Sequence, residues 1–526
     1  MASPRPDNSA SEHERQFIHD VGEVFSKTPV GLDGRIPSPP AAPPQPGARS
    51  QTPSEHLGFR TVLRNRQFRK LWAGQLLSQT VMNAANYGMI TLAAKTSGSY
   101  LATGLAVVAF SLPALLVGAP AGALVDRWDR RKVLWISNVI RAVASFLFIV
   151  SLALNPKVLW PVYALTFVIS MVGQFFGPAE GAAIPRLVHK NEIVNALALF
   201  NITFTVSQAL GLIVLGPLVL LFSPQVTFPF MTVMPVQWLF LFVTVIYLVA
   251  AFLCYQLPRA QLAAASIDTS FMGAATLPGV TTARQIGRVI SQQMDEVWKD
   301  VRQASKFIVK RPPLGVVVFQ LSLAGLITAV IAMVAPNFVT EFFHLPQYSA
   351  AVVFVPAGVG LIAGAGFCPR IFKRFGYLKT VIAGLVGFAI SVFGIVITRF
   401  VVAHVVTGAW WSHWWYIGIE ILLTTLLGVS LDLVTVPAQA MMQILAPDAY
   451  KARVLAMQGL LLNGLTVPVI LFFGWLADAT HNLSQMLSVF GIFILAIGAG
   501  SVALWRRYAS HIFADEVFTD PPVPVQ

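Results

Sequence analysis

Gly118-Ala119-Pro120-Ala121-Gly122-Ala123-Leu124-Val125-Asp126-Arg127-Trp128-Asp129-Arg130-Arg131-Lys132 separates two long apolar runs. No charged residue stands between Leu101 and Val125, and Arg141 is the only one between Val133 and Leu154. A helix that crosses a bilayer needs about 20 such residues, so the stretch predicts the joint between two spans. Gly122 removes a side chain where helices in lipid approach closely. Asp126, at the membrane edge, needs a cation or a helix amino terminus to offset its desolvation. The basic cluster beyond it marks the cytoplasmic side, because cytoplasmic loops carry the excess of lysine and arginine.

Similar runs recur along the whole chain. The 526 residues are 56% hydrophobic and 11% charged, with a mean hydropathy of +0.69. That is too little polar surface for water-soluble domains of this size. Apolar segments near 71–94, 101–125, 133–154, 158–177, 196–222 and 235–256 predict six spans, and those near 314–339, 350–371, 379–402, 414–437, 454–477 and 485–505 predict six more. Basic residues fall on alternate loops: Arg60 to Lys70, Arg127 to Lys132, Arg186 and Lys190, Arg370 to Lys379, Lys451 and Arg453, Arg506 and Arg507. The opposite loops carry little beyond Lys95, Lys157 and Arg399. Both termini are therefore expected in the cytoplasm of a cell carrying this protein in its plasma or inner membrane, with an even number of spans. The net charge of +13 is spread over these loops rather than gathered on one domain, which argues against a nucleic-acid partner.

The expected organisation is a Pro-rich disordered tail over 1–58, an N-terminal six-helix bundle over 59–257, a linker with an amphipathic helix over 258–313, a C-terminal six-helix bundle over 314–508 and a short tail over 509–526. The first apolar run begins near Leu71, too late for a cleavable signal peptide of ordinary position. Cys254 and Cys368 lie in or beside apolar runs and are expected to pack rather than pair or bind metal.

The two halves echo one another. Pro178-Ala179-Glu180, placed after the fourth span, has a counterpart in Pro437-Ala438-Gln439 after the tenth, and Gly122 with its basic loop matches Gly366, Arg370, Lys373 and Arg374. Internal repeats of this kind are common in secondary transporters. The stretch from Gly118 to Lys132 resembles the signature loop between the second and third spans of the major facilitator superfamily. Phe175-Phe176-Gly177-Pro178-Ala179-Glu180 and Ile184-Pro185-Arg186-Leu187-Val188 are similar to the branch that contains enterobactin-exporter-like and macrolide-efflux-like proteins. The resemblance implies an all-α membrane fold of about twelve helices in two pseudo-symmetric bundles. It implies that Gly122, Asp126, Arg127, Arg130 and Arg131 meet the start of the eleventh helix at Arg453 and lock the cytoplasmic side. It also implies a central cavity lined by spans one, four, seven and ten, whose polar residues are Gln79, Asn83, Asn86, Gln174, Gln320, Glu420 and Asp432. Asp129 stands where the broad pattern has glycine.

Ionisable groups inside a membrane are costly and usually functional, so Asp432 and Glu420 are the candidate proton-coupling carboxylates. The first span lacks the acid many relatives carry after Ser78, and Gly211 with Gly216-Pro217 is only a fragment of the antiporter motif. Arg141 needs a partner that the sequence does not identify. Gly358-Val359-Gly360 imitates a nucleotide fingerprint, but no strand precedes it, and no phosphate-binding, zinc-protease or nucleophile motif is present. The expectation is a transporter, not an enzyme, with no cofactor and no metal, whose partners are a small-molecule substrate, membrane lipid and protons. Sparse, mostly uncharged polar residues favour export of an amphipathic drug, macrolide or siderophore. Lysophospholipid movement on the same fold and a non-transporting receptor or scaffold are the alternatives.

Overall fold

A computed structural model describes residues 59–227, 232–262, 302–303, 305–346, 349, 351–405, 413–447 and 451–512. The Pro-rich tail and most of the expected amphipathic linker lie outside the described residues. Among the described residues six long helices come before the linker: α1 (Arg66–Ser97), α2 (Tyr100–Arg127), α3 (Arg130–Leu154), α4 (Trp160–Leu187), α5 and α6 (Pro235–Tyr255). α5 is composite, with Ile193–Ala209, a π-helical turn at Leu210–Leu215 and Gly216–Phe222 in sequence. Pro217 lacks the N–H an uninterrupted α-helix would use there, and a π turn absorbs the mismatch.

Beyond the linker come α7 (Pro312–Phe343), then a helical stretch Ala351–Val405 broken at Gly376, where φ is 78°. The arm before Gly376 is α8 and the arm after it α9. α10 (Trp414–Leu445), α11 (Lys451–Thr480) and α12 (Leu483–Ile512) complete the chain. Ten helical stretches among the described residues are long and apolar enough to cross a membrane, and one of these is the two-armed Val355–Val405. α1, more polar but 32 residues long, reaches about 48 Å at 1.5 Å per residue. Twelve crossings result.

The helices outrun the apolar windows. Pro178-Ala179-Glu180 lies inside α4 and Pro437-Ala438-Gln439 inside α10, not after the spans as expected. Hydropathy marks only the part of a helix that needs lipid, and neighbouring helices tolerate the interior prolines. Capping sets the true ends. Asn65 Oδ1 accepts from the backbone N–H groups of Gln67 and Phe68, while its Nδ2 donates to Leu187 O across the bundle at 2.6 Å. Gly98, at φ 64°, closes α1 in the left-handed conformation.

In the first half α1 packs on α6, α5 and α2, α3 on α6 and α4, and α2 on α4; in the second, α7 packs on α10, α11 and α12, and α8 and α9 on α10. At the end of the bundle that carries the basic loops, each half has its own apolar core. One gathers Phe68, Leu71, Leu134, Phe176 and Ile184, the other Leu314, Val317, Met441, Met442 and Trp505. Toward the opposite, charge-poor end a single core runs through both halves, from Val81 and Phe240 to Val330 and Phe490. The halves are thus welded at one end and separate at the other.

Candidate functional site

The main seam between the halves is formed by α2 and α11, which pack against each other. At the charge-poor end they touch closely. A Cβ on Gly474 would lie 3.0 Å from Leu101 Cα, and one on Gly104 2.9 Å from Ile470 Cγ2. Midway, a Cβ on Gly464 would reach Leu115 at 4.0 Å, and further on one at Gly459 or Gly122 would meet nothing within 4 Å. The seam therefore opens progressively toward the basic end. The close approach expected at Gly122 is not made in this conformation, because the two helices have parted there.

One side chain fastens the closed end. Asp478, on the last turns of α11, accepts from the backbone N–H of Tyr100 (2.7 Å), from the N–H of Leu101 (3.0 Å) and from Ser99 Oγ (2.5 Å). Ser99 is itself the N-cap of α2 and accepts from Ala102 N. A carboxylate thus sits on the free N–H groups and positive dipole end of α2. A second tie runs beside it. Tyr100 OH donates to Glu341 Oε1 on α7, whose Oε2 accepts from Arg399 Nη1 at 3.2 Å, and the Arg399 guanidinium lies 4.4 Å from the Phe342 ring centre.

Sequence reading overlooked Asp478, although a signal for it existed. Gly474-Trp475-Leu476-Ala477-Asp478 repeats the Gly-x-x-x-Asp spacing of Gly122-Ala123-Leu124-Val125-Asp126. The two motifs end antiparallel helices, so the two acids occupy opposite ends of one seam. Extending the pairing of Leu101 with Gly474 and Leu115 with Gly464 brings position 126 level with Arg453, near the start of α11. The side chains of Asp126 and Arg127 lie outside those described, and Arg453 is half-buried. The rest of the basic loop is bound to its own half. Arg130 is buried, Arg131 Nε donates to Tyr255 O at 2.9 Å with its guanidinium 4.6 Å from the Tyr255 ring centre, and Asp129 Oδ1 caps α3 by accepting from Lys132 N.

The expected cavity residues divide into two groups. Gln79, Asn83 and Asn86 on α1 and Gln174 on α4 are half-exposed. Gln174 Oε1 lies 3.6 Å from where a Cβ on Gly118 would be, at the inner face of α2. Gln320, by contrast, is 2% exposed. It donates to Ser501 Oγ and accepts from Tyr377 OH inside the second bundle. Glu420 is 0% exposed, and its Oε1 accepts from Thr398 Oγ1 at 3.1 Å while Oε2 has no partner. Thr398 precedes Arg399 of the Glu341 and Tyr100 fastening in the chain, and the Arg399 charge acts on Glu420. Asp432 packs where α10 crosses α8, its Cβ 2.8 Å from the position of a Cβ on Gly364. Gly360 makes a still closer crossing, against Thr425 O, which gives that glycine of the apparent nucleotide fingerprint a packing role. Both cysteines are buried and free.

The family model described as Major Facilitator Superfamily matches residues 71–466. The chain belongs to that superfamily. Among curated proteins, Macrolide efflux protein A of Streptococcus pyogenes is 30% identical over 150 residues, 28% of this chain and 37% of that protein. The MFS-type transporter YfiS of Bacillus subtilis (strain 168) is 29% identical over 155 residues, 28% of this chain and 36% of its own. The chain thus aligns with little more than a third of the length of these relatives. Solved structures share the fold of this superfamily member over most of its length. A bacterial homologue of the iron transporter ferroportin in the inward-facing state has a TM-score of 0.58 at 14% identity, covering 85% of this chain and 99% of its own. The POT family transporter PepTSo has a TM-score of 0.59 at 15% identity, covering 85% and 99%.

Proposed function

We propose that this superfamily member is a secondary active exporter of bulky, weakly polar small molecules of the drug, macrolide or siderophore class, driven by protons. The observation that carries the reading is the graded α2/α11 seam, fastened by Asp478 at one end and parted at the other. A seam that is closed at one end and open at the other is what a pair of rigid halves rocking about a central site requires. With the basic end in the cytoplasm, the conformation is open inward. In the opposite state Asp126 meets Arg453 and the amino terminus of α11, and the Asp478 contacts separate. The half-exposed amides Gln79, Asn83, Asn86 and Gln174 offer neutral hydrogen bonds to cargo, and the alignment with a macrolide efflux protein supports the same class. Glu420, bonded through Thr398 toward the fastened end, and Asp432, at the α8/α10 crossing, are the carboxylates proposed to link proton binding to the rocking.

Export of a macrolide, a fluorescent drug and a catecholate siderophore from cells producing the protein, with and without a protonophore, tests this. Efflux of one of them that the protonophore abolishes is the expected result. Efflux of none, with lysophospholipid transfer in reconstituted vesicles, overturns the cargo assignment; efflux untouched by the protonophore overturns the coupling.

A further inference from the structure

Glu180 is the most deeply buried acid of the first half that the seam does not use. Its side chain is 0% exposed, and neither carboxyl oxygen has a hydrogen-bond partner among the described residues. It is not isolated electrostatically, because the guanidinium of Arg141, itself 1% exposed on α3, acts on it without a hydrogen bond between them. Arg141 is held in place by other groups. Its Nη1 donates to Ser78 Oγ at 2.9 Å, Ser78 Oγ donates to Asn138 Oδ1 at 2.8 Å, and the guanidinium stands 5.1 Å and 5.7 Å from the ring centres of Phe176 and Tyr247. Arg141 Nε has no hydrogen-bond partner among the described residues. An ionised carboxylate without a single donor is a costly arrangement in a dry interior, whereas a protonated one leaves only neutral polar atoms unpaired. The guanidinium retains a donor that would receive the carboxylate if the proton left.

The helix under Glu180 carries an interior proline. Gly177-Pro178-Ala179-Glu180-Gly181 lies within α4, where Pro178 removes one backbone hydrogen bond. Gly177 and Gly181 stand about 60° and 100° round the helix from Glu180 on the same side. A Cβ on either would meet nothing within 4 Å among the described residues. The carboxyl group is therefore buried on one face of α4, and the adjacent face is bare backbone bordering open space. Of the titratable groups on the helices packed around it, Arg141 of α3 acts on it, Cys254 of α6 feels its charge, and Tyr247 of α6 stands beside the guanidinium. The side chains of Asp126 and Arg127 on α2 lie outside those described.

We propose that Glu180 is a proton-binding site of the N-terminal bundle, with Arg141 as the cation that receives its charge and the Gly177/Gly181 face of α4 as its route to water. The proton moves between the Glu180 carboxyl oxygen and water on that route; the carboxylate left behind pairs with Arg141 as α4 flexes at Pro178. This deepens the proton-driven reading above and rests on it for its role in transport, but not for its existence.

Infrared titration of the reconstituted full-length protein tests the site without reference to transport. The carbonyl band of protonated carboxyl groups at neutral pH is expected to contain a component that Glu180→Gln removes and that Glu420→Gln and Asp432→Asn leave in place. Glu180→Asp, which keeps the acid, should displace the band and serves where the Gln variant does not yield monodisperse protein. Gly181→Leu, whose Cβ meets nothing within 4 Å among the described residues, should slow hydrogen–deuterium exchange of that band several-fold. Identical spectra for the unmutated protein and Glu180→Gln across the titration overturn the site, and unchanged exchange in Gly181→Leu overturns the route. Export that ignores the proton gradient while the band is present overturns the coupling reading and leaves the site standing; proton-driven export without the band does the reverse.

Discussion

Asp478 concentrates in one carboxylate what holds the closed end together. It satisfies two free N–H groups and one hydroxyl at the start of α2, a cap across two halves of the molecule rather than within one helix. Caps of this kind contribute about 1 kcal/mol, with about 0.5 to 2 kcal/mol for a charge at a helix terminus in partly buried geometry. Asp478→Asn keeps a carbonyl acceptor but loses the charge, and is expected to shift the balance between the two states by a factor of about 2 to 30 toward parting at the charge-poor end. Spin-label distances across that end measure it, and an unchanged distribution would show that Asp478 is a cap and not a lock. The carboxylates of the second half make a different prediction. Asp432→Asn or Glu420→Gln should abolish uphill export while leaving downhill exchange measurable, because only a titration is removed. Uphill export retained in both variants eliminates both residues. The acid at 126 was legible in the sequence because a basic loop follows it. Asp478 is legible only through the repeated Gly-x-x-x-Asp spacing, since the group it caps is a helix terminus, which has no letter in the sequence.

The α2/α11 pair has opposite requirements at its two ends, and glycines reveal them. Gly474 lies against the backbone of Leu101 at 3.0 Å, where no side-chain rotation can make room. Gly474→Leu should therefore wedge the closed end apart, at an overpacking cost of about 1 to 3 kcal/mol. Gly122 has nothing within 4 Å now, so Gly122→Leu should leave this state intact and obstruct the one in which the basic ends meet. Disulfide trapping between cysteines placed on the two helices, one pair at each end, reads both effects. Trapping at the basic end that is as fast in Gly122→Leu as in the unmutated protein would remove Gly122 from the seam. At this scale twelve spans and two halves were legible, because apolar runs of about 20 residues separated by basic loops leave few other readings. Helix ends were not, as the Pro178 and Pro437 motifs show: hydropathy stops where lipid stops, while hydrogen bonding continues. Gln320 stands apart from the other expected cavity residues for a related reason. Knowing that a residue lies on the seventh span does not say which side of that helix it occupies, and Tyr377 and Ser501 claim its amide from within the bundle.

For the molecule as a whole, two acids on one pair of antiparallel helices act on a single rigid-body equilibrium. Asp478 favours the state seen here; Asp126, level with Arg453 at the other end, is proposed to favour the opposite one. They stand at opposite ends of α2, 28 residues long and so about 42 Å from end to end, far enough apart for their effects to add independently. Asp126→Asn alone is expected to populate the present conformation further and to export poorly, and Asp478→Asn alone to populate the opposite conformation. Combined, the two losses of about 0.5 to 2 kcal/mol each should largely cancel. The populations should then return toward those of the unmutated protein, even though both locks are gone. The rates should not return, because each lock also raises the barrier to leaving the state it closes. The double variant is therefore expected to show near-normal spin-label distance distributions at both ends and faster exchange between them by single-molecule fluorescence. If its distances match either single variant instead, the two ends are not coupled through one seam, and the halves do not rock as rigid bodies about α2 and α11.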